Sequence, residues 1–186
     1  LAKAQRSESA KFVARHTPLN DGTPFDLQLT AGGKSTTLSI TTTTPAGIAS
    51  AINGAKAGVT AQLVDTGSGF QLVLTGQEGL ANHFSLSHSA YGPTANTPTV
   101  TSATGATLQV AADSDATAVL VSYTAQGATQ ATSIALEKNT DGLWVLPEAQ
   151  SIPEGATLTL AGQRPLTFTV NQYPQNAQIS VNGLTV

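Results

Sequence analysis

The sequence predicts a mainly β chain with one short helix, arranged as two small β-rich domains: an α+β unit followed by a sandwich-like β module. Three observations carry this reading. Most apolar residues recur at every second position, Gly, Asn and Asp clusters separate those runs, and a single segment shows helical period behind a start signal.

In chain order, Leu1 to Thr17 mix Ala, Lys, Arg and Ser with Phe12 and Val13 and have neither period, so they are read as extended. Phe25, Leu27 and Leu29 alternate with polar residues, and so do the residues through Leu38 and Ile40; Gly32-Gly33 between the two runs predicts a hairpin. Thr44 can then cap a helix with Pro45 in its first position, Ile48, Ala51, Ile52 and Ala55 on one face, and Gly58 as its end. Period two returns with Val59, Ala61 and Leu63, turns at 65–69, and is answered by Phe70, Leu72 and Leu74. This gives strand, strand, helix, strand, strand, to which residues 80–86 add a final strand, and 18–90 make an α+β unit with the helix covering one sheet face.

Residues 91–99 carry Pro93 and Pro98 and no period, and are read as a connector. Beyond them only strand signals occur, at 107–111, 118–123, 133–137, 143–146, 157–160, 166–170 and 178–181. Asn139-Thr140-Asp141-Gly142 supplies a hairpin turn, and Trp144 is the expected core anchor. The second domain is assigned to 1–17 together with 100–186, on the expectation that the end segments 1–17 and 176–186 pair and make the first domain an insertion.

Composition bounds the chemistry. Charged residues are 10% of 186, well below the roughly one quarter usual in soluble domains, and the net charge is -3 with scattered Lys and Arg. No basic stripe exists to engage nucleic acid. Cys is absent, which removes disulfides, thiolate metal sites and a cysteine nucleophile. No apolar run is long enough for a membrane-spanning helix, and no membrane insertion is expected. The missing Met, at position 1 as elsewhere, is read as the mark of an internal piece of a longer protein.

No catalytic, cofactor-binding or metal-binding residue is assigned, and no cofactor is implied. His16, His83 and His88 lack ligand spacing and are read as surface or loop histidines. Ser85, Ser87 and His88 are neighbours in sequence, but a nucleophile needs a base facing it across the fold. Asp113 and Asp115, with Glu137, Asp141, Glu148 and Glu154 farther along, could make a weak calcium loop; solvated carboxylates are the preferred reading. Gly67-Ser68-Gly69 is a hairpin turn and lacks the Gly-Lys-Ser/Thr of a phosphate loop. The stripe of Ile48 and Ile52 is read as core.

The segments Ile48-Ala49-Ser50-Ala51-Ile52-Asn53, Gly58-Val59-Thr60-Ala61-Gln62-Leu63-Val64-Asp65-Thr66-Gly67 and Phe70-Gln71-Leu72-Val73-Leu74-Thr75 resemble the flagellin "IN" motif, and Gly79 to Leu86 resembles its closing stretch. Leu1-Ala2-Lys3-Ala4-Gln5 and Asn176-Ala177-Gln178-Ile179-Ser180-Val181-Asn182-Gly183 are similar to the flanks of this motif in the hook-associated protein 2 family, in the family's order. Residues 100–175 match only as generic β sequence.

The resemblance implies the outer domains of a flagellar filament cap. Such a protein is exported without a cleaved signal, forms a homo-oligomeric ring at the filament tip, has flagellin as its partner, and guides flagellin into place. The sequence holds no long heptad, so the ring is expected of the full-length protein rather than of this piece. Two alternatives remain open. One is an Ig-like adhesin module contacting a host surface through a groove that Tyr91, Tyr123 and Tyr173 would line; the other is a variable domain of flagellin or of another hook-associated protein.

Overall fold

The computed structural model describes residues 1–104, 107–178, 180–181 and 184–185, with the side chains of 102–104 and 180–185 left aside. The chain is mainly β with one α-helix, and divides into two compact units, Leu1–Tyr91 with Leu166–Val186, and Gly92–Pro165. The first unit holds β1 (Ala4–Phe12), β2 (Phe25–Ala31), β3 (Lys34–Ile40), α1 (Pro45–Ala55), β4 (Thr60–Asp65), β5 (Phe70–Glu78) and β6 (Phe84–Ser87). Then follow β7 (Tyr91–Pro93), β8 (Thr99–Thr104), β9 (Thr107–Ala111), β10 (Ala118–Thr124), β11 (Thr132–Ala135), β12 (Glu137–Lys138), β13 (Trp144–Val145) and β14 (Thr157–Pro165). The chain returns to the first unit with β15 (Phe168–Gln172), and ends in the small hairpin of β16 (Ser180–Val181) and β17 (Leu184–Thr185).

The first unit is a sandwich of two antiparallel sheets, ordered β15-β1-β5-β4 and β3-β2-β6. Alternation builds both. Leu27 and Leu29 of β2, Leu38 and Ile40 of β3, Ala61 of β4, and Leu72 and Leu74 of β5 turn inward into one core, while Gln28 and Ser39 between the first two pairs face water. Helix α1 packs against β3 and β4 and adds Ile48 and Ile52, both fully buried, each contributing roughly 1.5–3 kcal/mol of hydrophobic stabilisation. The predicted start of the helix is observed: the Thr44 hydroxyl accepts from the Gly47 N–H at 3.1 Å and Pro45 occupies the first turn. The helix ends two residues before the predicted Gly58, at Lys56, which adopts left-handed backbone (φ 50°) as its cap.

Side-chain amides fasten these layers where no strand could. Gln5 of β1, buried in the sandwich, donates from Nε2 to the Phe84 carbonyl (2.8 Å) and accepts the Phe84 N–H at Oε1 (2.9 Å), joining the two sheets. Phe84 itself packs over Gly76, where an added Cβ would lie 2.9 Å from its ring. Asn53 repeats the device at the end of α1, donating to the Ala61 carbonyl and accepting the Ala61 N–H, each at 2.8 Å. Ser9 fills a register shift between β1 and β5: its hydroxyl accepts the Leu72 N–H at 3.0 Å.

The second unit is also built of two sheets, β11-β10-β14-β7 and β12-β13-β9-β8. Their core comprises Leu108, Val110, Val119, Val121, Ile134, Leu136 and Trp144, so the tryptophan anchors it as expected. The Lys138 ammonium sits 5.5 Å from the Trp144 ring centroid. Asn139 closes the predicted turn, its Oδ1 accepting from the N–H groups of Asp141 and Leu143.

The expected domain division needs correction. Residues 1–17 join only the end of 100–186: β1 pairs with β15 and, in the other direction, with β5 inside the first unit, and Lys3 and Gln175 exchange backbone bonds of 2.9 and 3.0 Å. Gly92–Pro165 is therefore inserted into the first unit, the reverse of the expected nesting. Residues 91–99 are not all connector, because β7 joins the sheet beside β14 and β8 begins at Thr99. Residues 80–86 begin with a 3₁₀ turn, Leu80–Asn82, before the strand. Of the strand expected at 178–181, Ile179 lies outside the described residues.

Gln5→Ala is expected to destabilise the protein by about 3 kcal/mol, because it leaves the buried N–H and C=O of Phe84 without partners. Urea unfolding with an unchanged m-value checks this; a loss under about 0.5 kcal/mol would show that the clamp is dispensable. Gly47→Ala drives a Cβ into the Thr42 carbonyl and is expected to lower the urea midpoint more than Gly54→Ala, whose Cβ meets open space.

Candidate interaction cleft

The sandwich of the first unit is open along one side, where β6 ends one sheet and β15 ends the other. Between these edges lies a cleft of about 490 Å³, lined among others by Gln5, Ser7, Leu86, His88, Phe168 and Val170. Its floor is polar because the inward face of β1 carries Gln5, Ser7 and Ser9, all buried. Its walls are aromatic: the His88 ring lies 6.4 Å from Phe25 and 6.1 Å from Phe168, edge-on to the latter.

His88 is the one titratable group of the cleft with a resolved shift. Its Nδ1 is buried and has no hydrogen-bond partner, and burial lowers the imidazole pKa from the ordinary value of 6.5. The neutral ring therefore belongs to the folded state. Strand alternation separates it from its sequence neighbours: Phe84 and Leu86 turn toward the core, while Ser85 and Ser87 are exposed. No serine pairs with His88 Nδ1. His83 lines the same cleft but is exposed, and His16 lies by the start of α1.

The other candidates resolve into local structure. Asp113 accepts from both the side-chain and backbone N–H of Asn96, at 2.8 and 2.9 Å, and the first of these bonds chiefly holds its carboxyl below the usual range. Asp115 pairs with Arg164 at 2.9 Å. Glu137 lies exposed on β12, and Asp141, Glu148 and Glu154 do not join Asp113 and Asp115: among the described residues no group of three or more His, Asp or Glu could hold a metal ion. Gly67-Ser68-Gly69 is the predicted turn, with the Thr66 N–H on the Gly69 carbonyl at 2.8 Å and the Asp65 carboxylate accepting from Gly67. The tyrosines occupy unrelated settings. Tyr91 donates to Asp21 at 2.9 Å, Tyr123 packs on the core of the second unit, and Tyr173 is exposed.

Reading by period did not single out Gln5 or Asn53. Two signals mark Asn53: its place in the IN-motif resemblance, and its place on the last turn of a helix, where a short amide is a weak helix former and seeks backbone partners.

No protein-family model matches the chain, and no curated protein matches it significantly. Among solved structures it is similar to the flagellar cap protein FliD D1-D2-D3 domains from Escherichia coli (22% identity, TM-score 0.45), over 86% of this chain and 46% of that one. It is similar also to the D2-D3 domains of the same protein from Escherichia coli (21% identity, TM-score 0.44, covering 86% and 83%). The corresponding domains from Serratia marcescens align at 20% identity and TM-score 0.44, covering 100% and 88%. The chain thus spans less than half the length of the three-domain Escherichia coli protein.

Because the His88 pKa is lowered in the fold, the unfolded chain binds the proton more readily. Stability is complete above the unfolded value near 6.5 and falls as pH drops from there through the folded pKa. Urea midpoints are expected to decrease between roughly pH 7.5 and pH 5.5. His88→Leu should flatten that dependence; an equally steep decrease in the variant would exclude His88 as its source.

Proposed function

We propose that this chain forms the outer domains of a flagellar filament cap protein of the hook-associated protein 2 family, a structural and assembly component without catalytic chemistry. The observation that carries the reading is the ordered set of sequence resemblances, the IN motif at 48–75 and its closing stretch at 79–86, flanked by 1–5 and 176–183. The parts of this pattern have coherent physical tasks in one folded unit, which supports it further. Ile48 and Ile52 fill the core, Asn53 ties α1 to β4, Gly79 takes positive φ (98°), and Phe84 closes the sandwich against Gln5.

In this reading the protein acts extracellularly at the filament tip, by steric means. The outer domains form a plate that retains exported flagellin and leaves openings where the next subunit folds and inserts. Flagellin is the partner, and the homo-oligomeric ring belongs to the full-length protein. A weakly charged surface, with 10% charged residues, suits repeated low-affinity contact with passing subunits, because no fixed charge pattern must be matched and released. The tyrosines of the adhesin alternative have local tasks, Tyr91 bonding Asp21 and Tyr123 packing on the core of the second unit.

Immunogold microscopy of intact cells with antibody against this chain tests the proposal. Gold is expected at filament tips; label along whole filaments would make this a flagellin domain, and label on the cell body would favour the adhesin.

A further inference from the structure

We infer that the cleft between β6 and β15 is a receptor slot for a short, uncharged, extended peptide segment of a partner protein, which adds to the open edge of β6 as a strand. The edge is interrupted rather than closed. Antiparallel pairing of β6 with β2 uses the backbone groups of alternate residues: the His83 carbonyl accepts from the Gly32 N–H, and the alternation continues through Ser85 and Ser87, opposite Thr30 and Gln28. Phe84, Leu86 and the residues in step with them therefore present N–H and C=O to the outer side.

At one end of that outer side the Gln5 amide takes both groups of Phe84, as a neighbouring strand would. At the other, the Ala90 carbonyl accepts from the Leu166 N–H at 3.0 Å. Between these two bridges lie Leu86 and His88, and no strand of the sheet pairs there. Strand β6 itself, Phe84–Ser87, is roughly 13 Å long, and the edge between the two bridges accommodates about three residues.

Three features define the occupant. The open edge asks for an extended backbone that exchanges hydrogen bonds with Leu86. The unpartnered Nδ1 of His88, closed off from water in the cleft wall, gains a hydrogen-bonding partner once an occupant turns the ring toward that backbone. The remaining lining, Ser7, Leu86, Phe168 and Val170 among it, has no carboxylate, Lys or Arg, so a charged side chain entering it would lose water without compensation. The volume of about 490 Å³ suits a few small residues. Nothing in this inference depends on the cap reading.

The test is a titration of the whole chain with a capped pentapeptide of alternating threonine and valine, followed by amide and imidazole NMR, with the same peptide N-methylated at its central amides as control. At roughly millimolar peptide the resonances of Leu86 and His88 are expected to shift, and N-methylation is expected to abolish the shift. His88→Ala should weaken the apparent Kd about fivefold, the size of one lost hydrogen bond. Absence of shifts would overturn the inference. So would equal shifts with the N-methylated peptide, which would mean apolar contact without strand pairing, or the same shifts on raising protein concentration alone, which would mean that a second copy fills the slot.

Discussion

The first unit depends on a polar contact in an apolar place: the Gln5 amide holding both backbone groups of Phe84 inside the sandwich. A β-sheet satisfies its backbone laterally, so two stacked sheets normally meet only through side chains. Here the amide carries backbone-like bonding from one sheet to the other. Removing it would strand two buried groups, each worth about 1–3 kcal/mol unpaired, and for that reason β1 carries an amide where an aliphatic side chain would otherwise fit. Asn53 does the same for the helix, and Ser9 for the register shift of β1.

This polar inward face also explains which parts of the fold could be read in advance. The β2–β3 hairpin, the β4–β5 pair and α1 show clean apolar periods, and the observed elements follow them, with Leu27, Leu29, Leu72 and Leu74 all inward. Strand β1 has the same period of two, but its inward residues are Gln5, Ser7 and Ser9, so a search for alternating hydrophobicity finds nothing. With β1 unrecognised, residues 1–17 had no visible partner and the nesting of the two units came out reversed. Strand β7 was hidden for a related reason: three residues beside Pro93 give too short a run to show a period, and only its place beside β14 reveals it. Of the candidate cleft, His88 was visible as a residue, while its partnerless nitrogen and its two aromatic neighbours are properties of the assembled sheets.

The insertion of Gly92–Pro165 follows from the same contacts. The chain leaves the first unit after Ala90 and returns at Leu166, and these two residues share a backbone bond, so entry and exit lie side by side. A unit attached through adjacent strands can vary in sequence without disturbing the core beneath it.

Native-state amide hydrogen exchange at Phe84 and Ala61 tests the central claim most directly, because each of these N–H groups is bonded to a side-chain amide and to no other strand. If the amides hold the layers together, both groups exchange only through the largest openings of the first unit, with protection close to that of Leu72 and Leu74 in the middle of the sheet. Exchange at Phe84 as fast as at the rims of the unit, with Leu72 still protected, would show that the sheets stay together without the clamp and would contradict the account.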